Sequence, residues 1–183
     1  MAKESLRTLN VAVIGMGYVG LTTAVALAFL GHRVMGVEKD KAKLDLLRAG
    51  KIPFPEPGLP ELLELARRNI AFASAAKEAV AEADLIMIAV GTPQKPTGQA
   101  DSSYVEEVAR EIAQGLLPGR SYTIVVKSTV PIGTNRRVAH MLARVLAELG
   151  IAGQTHVRVA SNPEFLWEGS ALHDMFYERR KVP

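Results

Sequence analysis

Residues 10–20, Asn10-Val-Ala-Val-Ile-Gly-Met-Gly-Tyr-Val-Gly20, decide the fold when read together with residues 32–38, His32-Arg-Val-Met-Gly-Val-Glu38. Val11, Val13 and Ile14 form a short apolar run suited to a buried parallel strand, and Ala24, Leu27, Ala28 and Phe29 recur at helical spacing after the glycines. Gly31 stops that helix, and a second strand ends in the carboxylate of Glu38. Gly15, Gly17 and Gly20 have G-x-G-x-x-G spacing. In this setting Gly15 permits the tight turn, Gly17 lets backbone approach a pyrophosphate, and Gly20 lets the helix pack closely on the strand. The open N–H groups and dipole at the helix start receive phosphate charge. Glycines alone cluster in ordinary turns, but here strand, helix, second strand and acid agree on a dinucleotide site.

Glu38 stands where an acid accepts hydrogen bonds from a ribose diol, and its charge repels the extra phosphate of NADP. NAD is therefore the expected cofactor. Lys39, Lys41 and Lys43 follow closely. They read either as groups that neutralise a phosphate or, more simply, as a solvated charge run at a helix start.

Working outward, Asp40 is the expected cap and Gly50 the expected stop of a short helix over residues 40–49. Residues 52–60, Ile52-Pro-Phe-Pro-Glu-Pro-Gly-Leu-Pro60, carry too many prolines for regular structure and read as a shaped loop. Leu59, Leu62, Leu63 and Ala66 then give a short helix, residues 70–73 a strand, and Ser74 a cap for the next turn. Residues 85–90, Leu85-Ile-Met-Ile-Ala-Val90, read as a central strand buried on both faces. Ser103 and Glu106 have capping-box spacing ahead of a helix through Val105, Val108, Ala109, Ile112 and Leu116. A strand over 122–126, a helix from Val138 to Leu149 and a strand over 157–160 complete the pattern. The alternation predicts a single α/β domain over residues 1–183 with a Rossmann-like, doubly wound parallel sheet. Thr92, Thr129 and Glu164 each follow a predicted strand, so all three are expected on the rim that carries the glycine turn.

Composition excludes several classes of function. Lys and Arg number 22 against 19 Asp and Glu, and these interspersed charges form no basic stripe of the kind nucleic-acid binding needs. With no cysteine there is neither a disulfide nor a thiolate metal site, and no histidine shows ligand spacing, so no metal is expected. No apolar stretch reaches the roughly 18 residues of a membrane span, and residues 1–9 lack the apolar core of a signal peptide. The expectation is a cytoplasmic protein without nucleic-acid or membrane partners.

Taken together the loops resemble those of the UDP-glucose/GDP-mannose dehydrogenase family, specifically its amino-terminal NAD-binding domain. The matching stretches are Gly15-Met-Gly-Tyr-Val-Gly-Leu21, Glu56-Pro-Gly-Leu59, Gly91-Thr-Pro93 with Ala100-Asp101 and Ser103-Tyr-Val105, Lys127-Ser-Thr-Val-Pro131, and Asn162-Pro-Glu-Phe-Leu166 with Glu168-Gly169. Asn162-Pro-Glu-Phe-Leu166 and Glu168-Gly169 look most like UDP-glucose dehydrogenases, whereas GDP-mannose dehydrogenases tend to have Glu-Ser at the latter pair. The resemblance implies oxidation of a nucleotide-sugar primary alcohol with two NAD, through an aldehyde and a cysteine thioester. It places the cysteine in a following domain, so the chain reads as the NAD-binding part alone, able to hold cofactor but not to turn over. The full-length protein is expected to be a homodimer. The alternatives are a GDP-mannose or UDP-N-acetylhexosamine dehydrogenase, or a non-catalytic NAD sensor.

Carried over by position, the resemblance gives Thr129 and Glu164 catalytic roles, with Glu164 as or beside the general base and Thr129 holding a water. It puts Gly15, Gly17, Tyr18, Val19 and Gly20, with Glu38, Lys43, Thr92, Thr129 and Glu168, at the cofactor. Glu164, Phe165 and Leu166 fall at the sugar nucleotide. On chemistry alone Glu164 equally suits a helix start, Thr129 a cap before Pro131, and Phe165, Leu166 and Trp167 a core. Trp167 and Tyr177 depart from the family pattern, which tends to have arginine and proline there.

Overall fold

The computed structural model describes residues 7–93, 101, 103–162 and 166–177. Strand β1 (Asn10–Ile14) is buried on both faces because its residues alternate between two cores. Val11 and Val13 enter one apolar cluster, and Ala12 and Ile14 the other. Parallel neighbours flank it, β2 (Arg33–Val37) on one side and β4 (Leu85–Ile88) on the other. Farther out lie β3 (Ile70–Ala73), β5 (Ser121–Val126) and β6 (His156–Ser161). The order β3, β2, β1, β4, β5, β6, parallel throughout, is the Rossmann-like doubly wound sheet that the alternation predicts.

Helices α1 (Tyr18–Phe29), α2 (Lys41–Arg48) and α3 (Leu59–Ala66) contribute to the cluster that holds Val11 and Val13. Helices α4 (Ala76–Val80), α5 (Ser103–Gly115) and α6 (Thr134–Glu148) cover the other face. The crossovers leave β1 in opposite directions, so a crevice opens at the carboxyl ends of β1 and β4. Tyr122 shows how the second layer is fixed. Its ring is 1% exposed, while its hydroxyl donates to the Ala81 carbonyl (2.9 Å) and accepts from the Leu117 N–H (3.0 Å).

Local signals are largely realised. Asp40 caps α2 by accepting the Lys43 N–H at 2.9 Å, and Gly50 turns away with φ +75°. Five expectations need correction. Pro60 lies in the first turn of α3, where its missing N–H costs nothing, rather than in the preceding loop. Ser74 is not a cap, since Ala75 precedes α4 with no side-chain bond. Helix α5 begins at Ser103 itself, whose N–H goes to the Asp101 carboxylate at 3.0 Å, and Glu106 reaches across to Arg137 of α6. Strand β4 stops at Ile88, two residues early, where the Lys127 and Ser128 N–H groups both close on the Ile88 carbonyl (2.8 and 3.1 Å). Leu149 caps α6 half-exposed instead of extending its apolar face. A seventh helix, α7 (Ala171–Tyr177), was not expected and packs back toward α1.

Candidate dinucleotide site

The glycine turn is built as its spacing predicts. Gly15 has φ +99°, a conformation other residues rarely adopt, and its N–H donates to the Val37 carbonyl at 2.9 Å. A Cβ on Gly20 would lie 1.8 Å from the Gly15 carbonyl oxygen, so the first turn of α1 rests directly on the turn peptide. Gly17 differs, because a Cβ there would meet nothing within 4 Å. It precedes α1 without any side-chain cap, at the end of the helix where the first N–H groups lack intrahelical partners. Cramped beneath and open above, the cradle fits a pyrophosphate approaching the helix start.

Beside it lies a cavity of about 360 Å³ between β1, β2 and β4, within the usual span of small-molecule sites. Gly15, Val37 and Glu38 form one wall, and Val90, Pro93 and Tyr104 the other. The Glu38 N–H is fixed by the Ala73 carbonyl (3.1 Å), and its carboxylate accepts the Asp40 N–H at 2.9 Å. Lys39, although its side chain is more than half exposed, is more than one member of a solvated run. Its Nζ spans the cavity mouth to Glu111 (2.7 Å) and Glu107 (3.2 Å) of α5. The bond from Glu111 foremost holds the ammonium above its ordinary range, so it stays charged. Lys43 sits exposed on α2, outside this cavity's lining.

The rim continues along the sheet. Thr92 Oγ1 donates to the Thr129 carbonyl at 2.8 Å, tying the β4 and β5 loops together and leaving Thr129 exposed above them. Lys127 is buried, and its Nζ donates to Asn162 Oδ1 (3.1 Å), joining the ends of β5 and β6. Glu164 and Phe165, the expected base and its neighbour, lie outside the described residues. Leu166 is half-buried and Glu168 exposed. Tyr18 and Val19 open α1 beside Gly17.

Three groups had no assigned role at the sequence level. Lys39 pairs with α5, Lys127 bridges two strand ends, and Glu56 sits almost fully buried beneath the segment that follows β6. A charged residue within the apolar, proline-rich loop of residues 52–60 was the available signal for Glu56. Its carboxylate accepts from the Tyr18 hydroxyl, which also takes the Gly169 N–H at 2.6 Å. Burial first, and then that hydrogen bond to Glu56, push the Tyr18 hydroxyl above its ordinary range.

The same segment carries a pH-sensitive contact. Asp174 accepts from the Trp167 N–H (3.1 Å) and the Ser170 hydroxyl (3.0 Å), and the Trp167 bond leads in holding its carboxyl below the usual 3.8. A lowered acid pKa favours the folded segment above the unfolded value and loses that contribution as pH falls through the folded one. An NMR titration of the Asp174 carboxyl carbon is expected to give a midpoint below 3.8, moved upward by Ser170→Ala. A midpoint at the unshifted value would contradict the contact.

Comparison with known proteins places these features. Residues 9–182 match the family model described as UDP-glucose/GDP-mannose dehydrogenase family, NAD binding domain. The chain belongs to that family. It is 43% identical over 179 residues to a UDP-glucose 6-dehydrogenase of Bacillus subtilis, covering 95% of this chain and 38% of that protein. With a UDP-glucose 6-dehydrogenase of Rhizobium meliloti it shares 45% over 170 residues, 91% of this chain and 37% of the relative. A solved UDP-glucose dehydrogenase from Pyrobaculum islandicum superposes with TM-score 0.83 at 44% identity, over 96% of this chain and 40% of that one. The chain thus spans about two fifths of the length of the curated relatives it matches. Its cofactor is NAD, and the cradle at Gly15, Gly17 and Gly20, with Glu38 lining the adjacent cavity, suits a dinucleotide. No helix among the described residues is long and apolar enough to cross a membrane, and no acidic or histidine cluster among them could hold a metal.

Proposed function

We propose that this NAD-binding domain serves a UDP-glucose 6-dehydrogenase that converts UDP-glucose to UDP-glucuronate with two NAD, the chain being one domain of that enzyme. The observation that carries the reading is the bond from Thr92 to the Thr129 carbonyl. It joins two loops expected at the cofactor, one of them carrying the expected catalytic Thr129, on the rim that holds the glycine cradle. Held there by Gly15, Gly17, Gly20 and Glu38, NAD would supply the hydride acceptor for oxidation of the sugar carbon. The chain's own part is to present Thr129 above the rim to hold a water, and to supply Glu164 as the carboxylate that takes the proton. A carboxylate held beside an apolar cofactor surface has its pKa raised and so works near neutral pH. The thioester step needs a thiol, and none of these 183 residues is cysteine, so we assign the nucleophile to a further domain.

UDP-glucose is favoured over GDP-mannose by Glu168-Gly169. Gly169 has φ +89°, which a serine, the residue GDP-mannose dehydrogenases tend to carry there, adopts only with strain. A sensor role is less economical, because the Lys127 and Glu164 loops have no evident purpose in one. The deciding assay sets the full-length protein against UDP-glucose, GDP-mannose and UDP-N-acetylhexosamines. It is expected to favour UDP-glucose by about a hundredfold in kcat/KM, a discrimination of the size that site contacts to hydroxyl groups supply. The isolated chain is expected to bind NAD without turnover. Preference for another sugar, or turnover by the chain alone, would overturn the proposal.

A further inference from the structure

We infer that Glu56 is a positioning residue, which ties the segment bearing Glu168 and Gly169 to the first residue of the pyrophosphate helix. Glu56 lies 113 residues from Gly169 in sequence, yet its Oε2 accepts the Gly169 N–H at 2.9 Å and its Oε1 the Leu172 N–H at 3.4 Å. The same Oε2 accepts from Tyr18, whose oxygen in turn accepts from Gly169 at 2.6 Å. One buried carboxylate therefore gathers α1, the loop before α3 and the start of α7. The seat is apolar around it. Phe54 lies 5.0 Å from the Tyr18 ring, and Leu172 Cδ1 stands 3.6 Å from where a Cβ of Gly58 would be. A carboxylate at 5% exposure without these donors would be strongly disfavoured, so the segment and Glu56 need each other.

The consequence for function follows from placement. Tyr18 is the first residue of α1, next to Gly17, where the pyrophosphate is received. Gly169 comes five residues after Glu164 in the chain. Glu56 thus makes cofactor helix and substrate-side segment one unit, so the arrival of NAD firms the segment. That consequence rests on the reading that residues 162–169 carry the catalytic carboxylate, whereas the tether does not.

Hydrogen exchange on the 183-residue chain tests both levels. Without NAD, Glu56→Ala is expected to speed exchange of the Gly169 and Leu172 amides about tenfold while β1 and β2 keep their protection. Glu56→Gln, which forfeits one acceptor, is expected to fall between. Tyr18→Phe, a milder change should the alanine variant fail to fold, is expected to raise Gly169 exchange roughly threefold. At saturating NAD the unaltered chain is expected to slow exchange at both amides, and Glu56→Gln to lose most of that slowing. Unmoved rates in Glu56→Gln and Tyr18→Phe, or an equal rise across the whole sheet, would overturn the tether. The comparison without NAD decides it whatever sugar the full-length enzyme takes, so its failure and that of the substrate assignment are told apart.

Discussion

Replacing Gly20 with alanine is expected to cost the fold about 4 kcal/mol and to abolish NAD binding, at the upper end of what a forced overlap costs. The added Cβ would stand 1.8 Å from the Gly15 carbonyl oxygen and 3.2 Å from the Ala89 Cβ. Neither neighbour can yield. Gly15 is backbone, already at φ +99° and bonded to Val37, so α1 itself must lift. Lifting it strips Leu21, Ala24 and Val25 from the core cluster they share with Val11 and Val13. For a domain of this size the melting temperature is expected to fall by about 10 °C. Gly17→Ala supplies the contrast. Its Cβ enters open space at φ -70°, so the melting temperature is expected to hold, yet the methyl occupies the approach of the pyrophosphate. A loss of NAD affinity of about a hundredfold is expected by calorimetry, the equivalent of roughly 2.7 kcal/mol. A Gly20→Ala protein that melts like the parent, or a Gly17→Ala protein that binds NAD equally well, would refute this division of labour.

That two glycines three positions apart respond so differently shows what a sequence makes legible. The strand, turn, helix and acid over residues 10–38 are specified locally, by apolar spacing and by glycine at the turn, and the structure follows them closely. The rim was legible for a related reason, since parallel strands place every following loop at one edge, and Thr92 does meet Thr129 there. What escaped were pairings between residues far apart in the chain. Nothing in the spacing of Lys39 announces that Glu107 and Glu111 will face it, and nothing near Glu56 announces Gly169. Helix α7 escaped for the same reason. Its placement depends on Leu172 finding the α1 layer and Phe176 meeting Phe29 edge-on, both long-range events.

The pairing of Lys39 gives the second large expectation, which concerns the choice between NAD and NADP. Glu38 alone disfavours a 2′-phosphate by Coulomb repulsion of roughly 2 kcal/mol at close range, or about thirtyfold in affinity. Lys39 is the adjacent cation that would offset this, but Glu107 and Glu111 hold its ammonium across the mouth of the cavity. The corner therefore stays net negative even though a lysine follows the acid. Glu38→Ala is expected to weaken NAD about tenfold, through loss of the charge-assisted bonds to the ribose diol, while NADP gains only modestly. Adding Glu107→Gln and Glu111→Gln releases Lys39, and the triple variant is expected to bind NADP about tenfold more tightly than Glu38→Ala does. The two glutamine changes without Glu38→Ala are expected to gain far less, because the acid remains. Since Lys39 and Glu107 are both more than half exposed, the gain is also expected to shrink as salt is added. Calorimetry with each cofactor at low and high ionic strength separates these cases. If the triple variant binds NADP no better than Glu38→Ala, the α5 acids have no part in excluding it, and Glu38 discriminates alone.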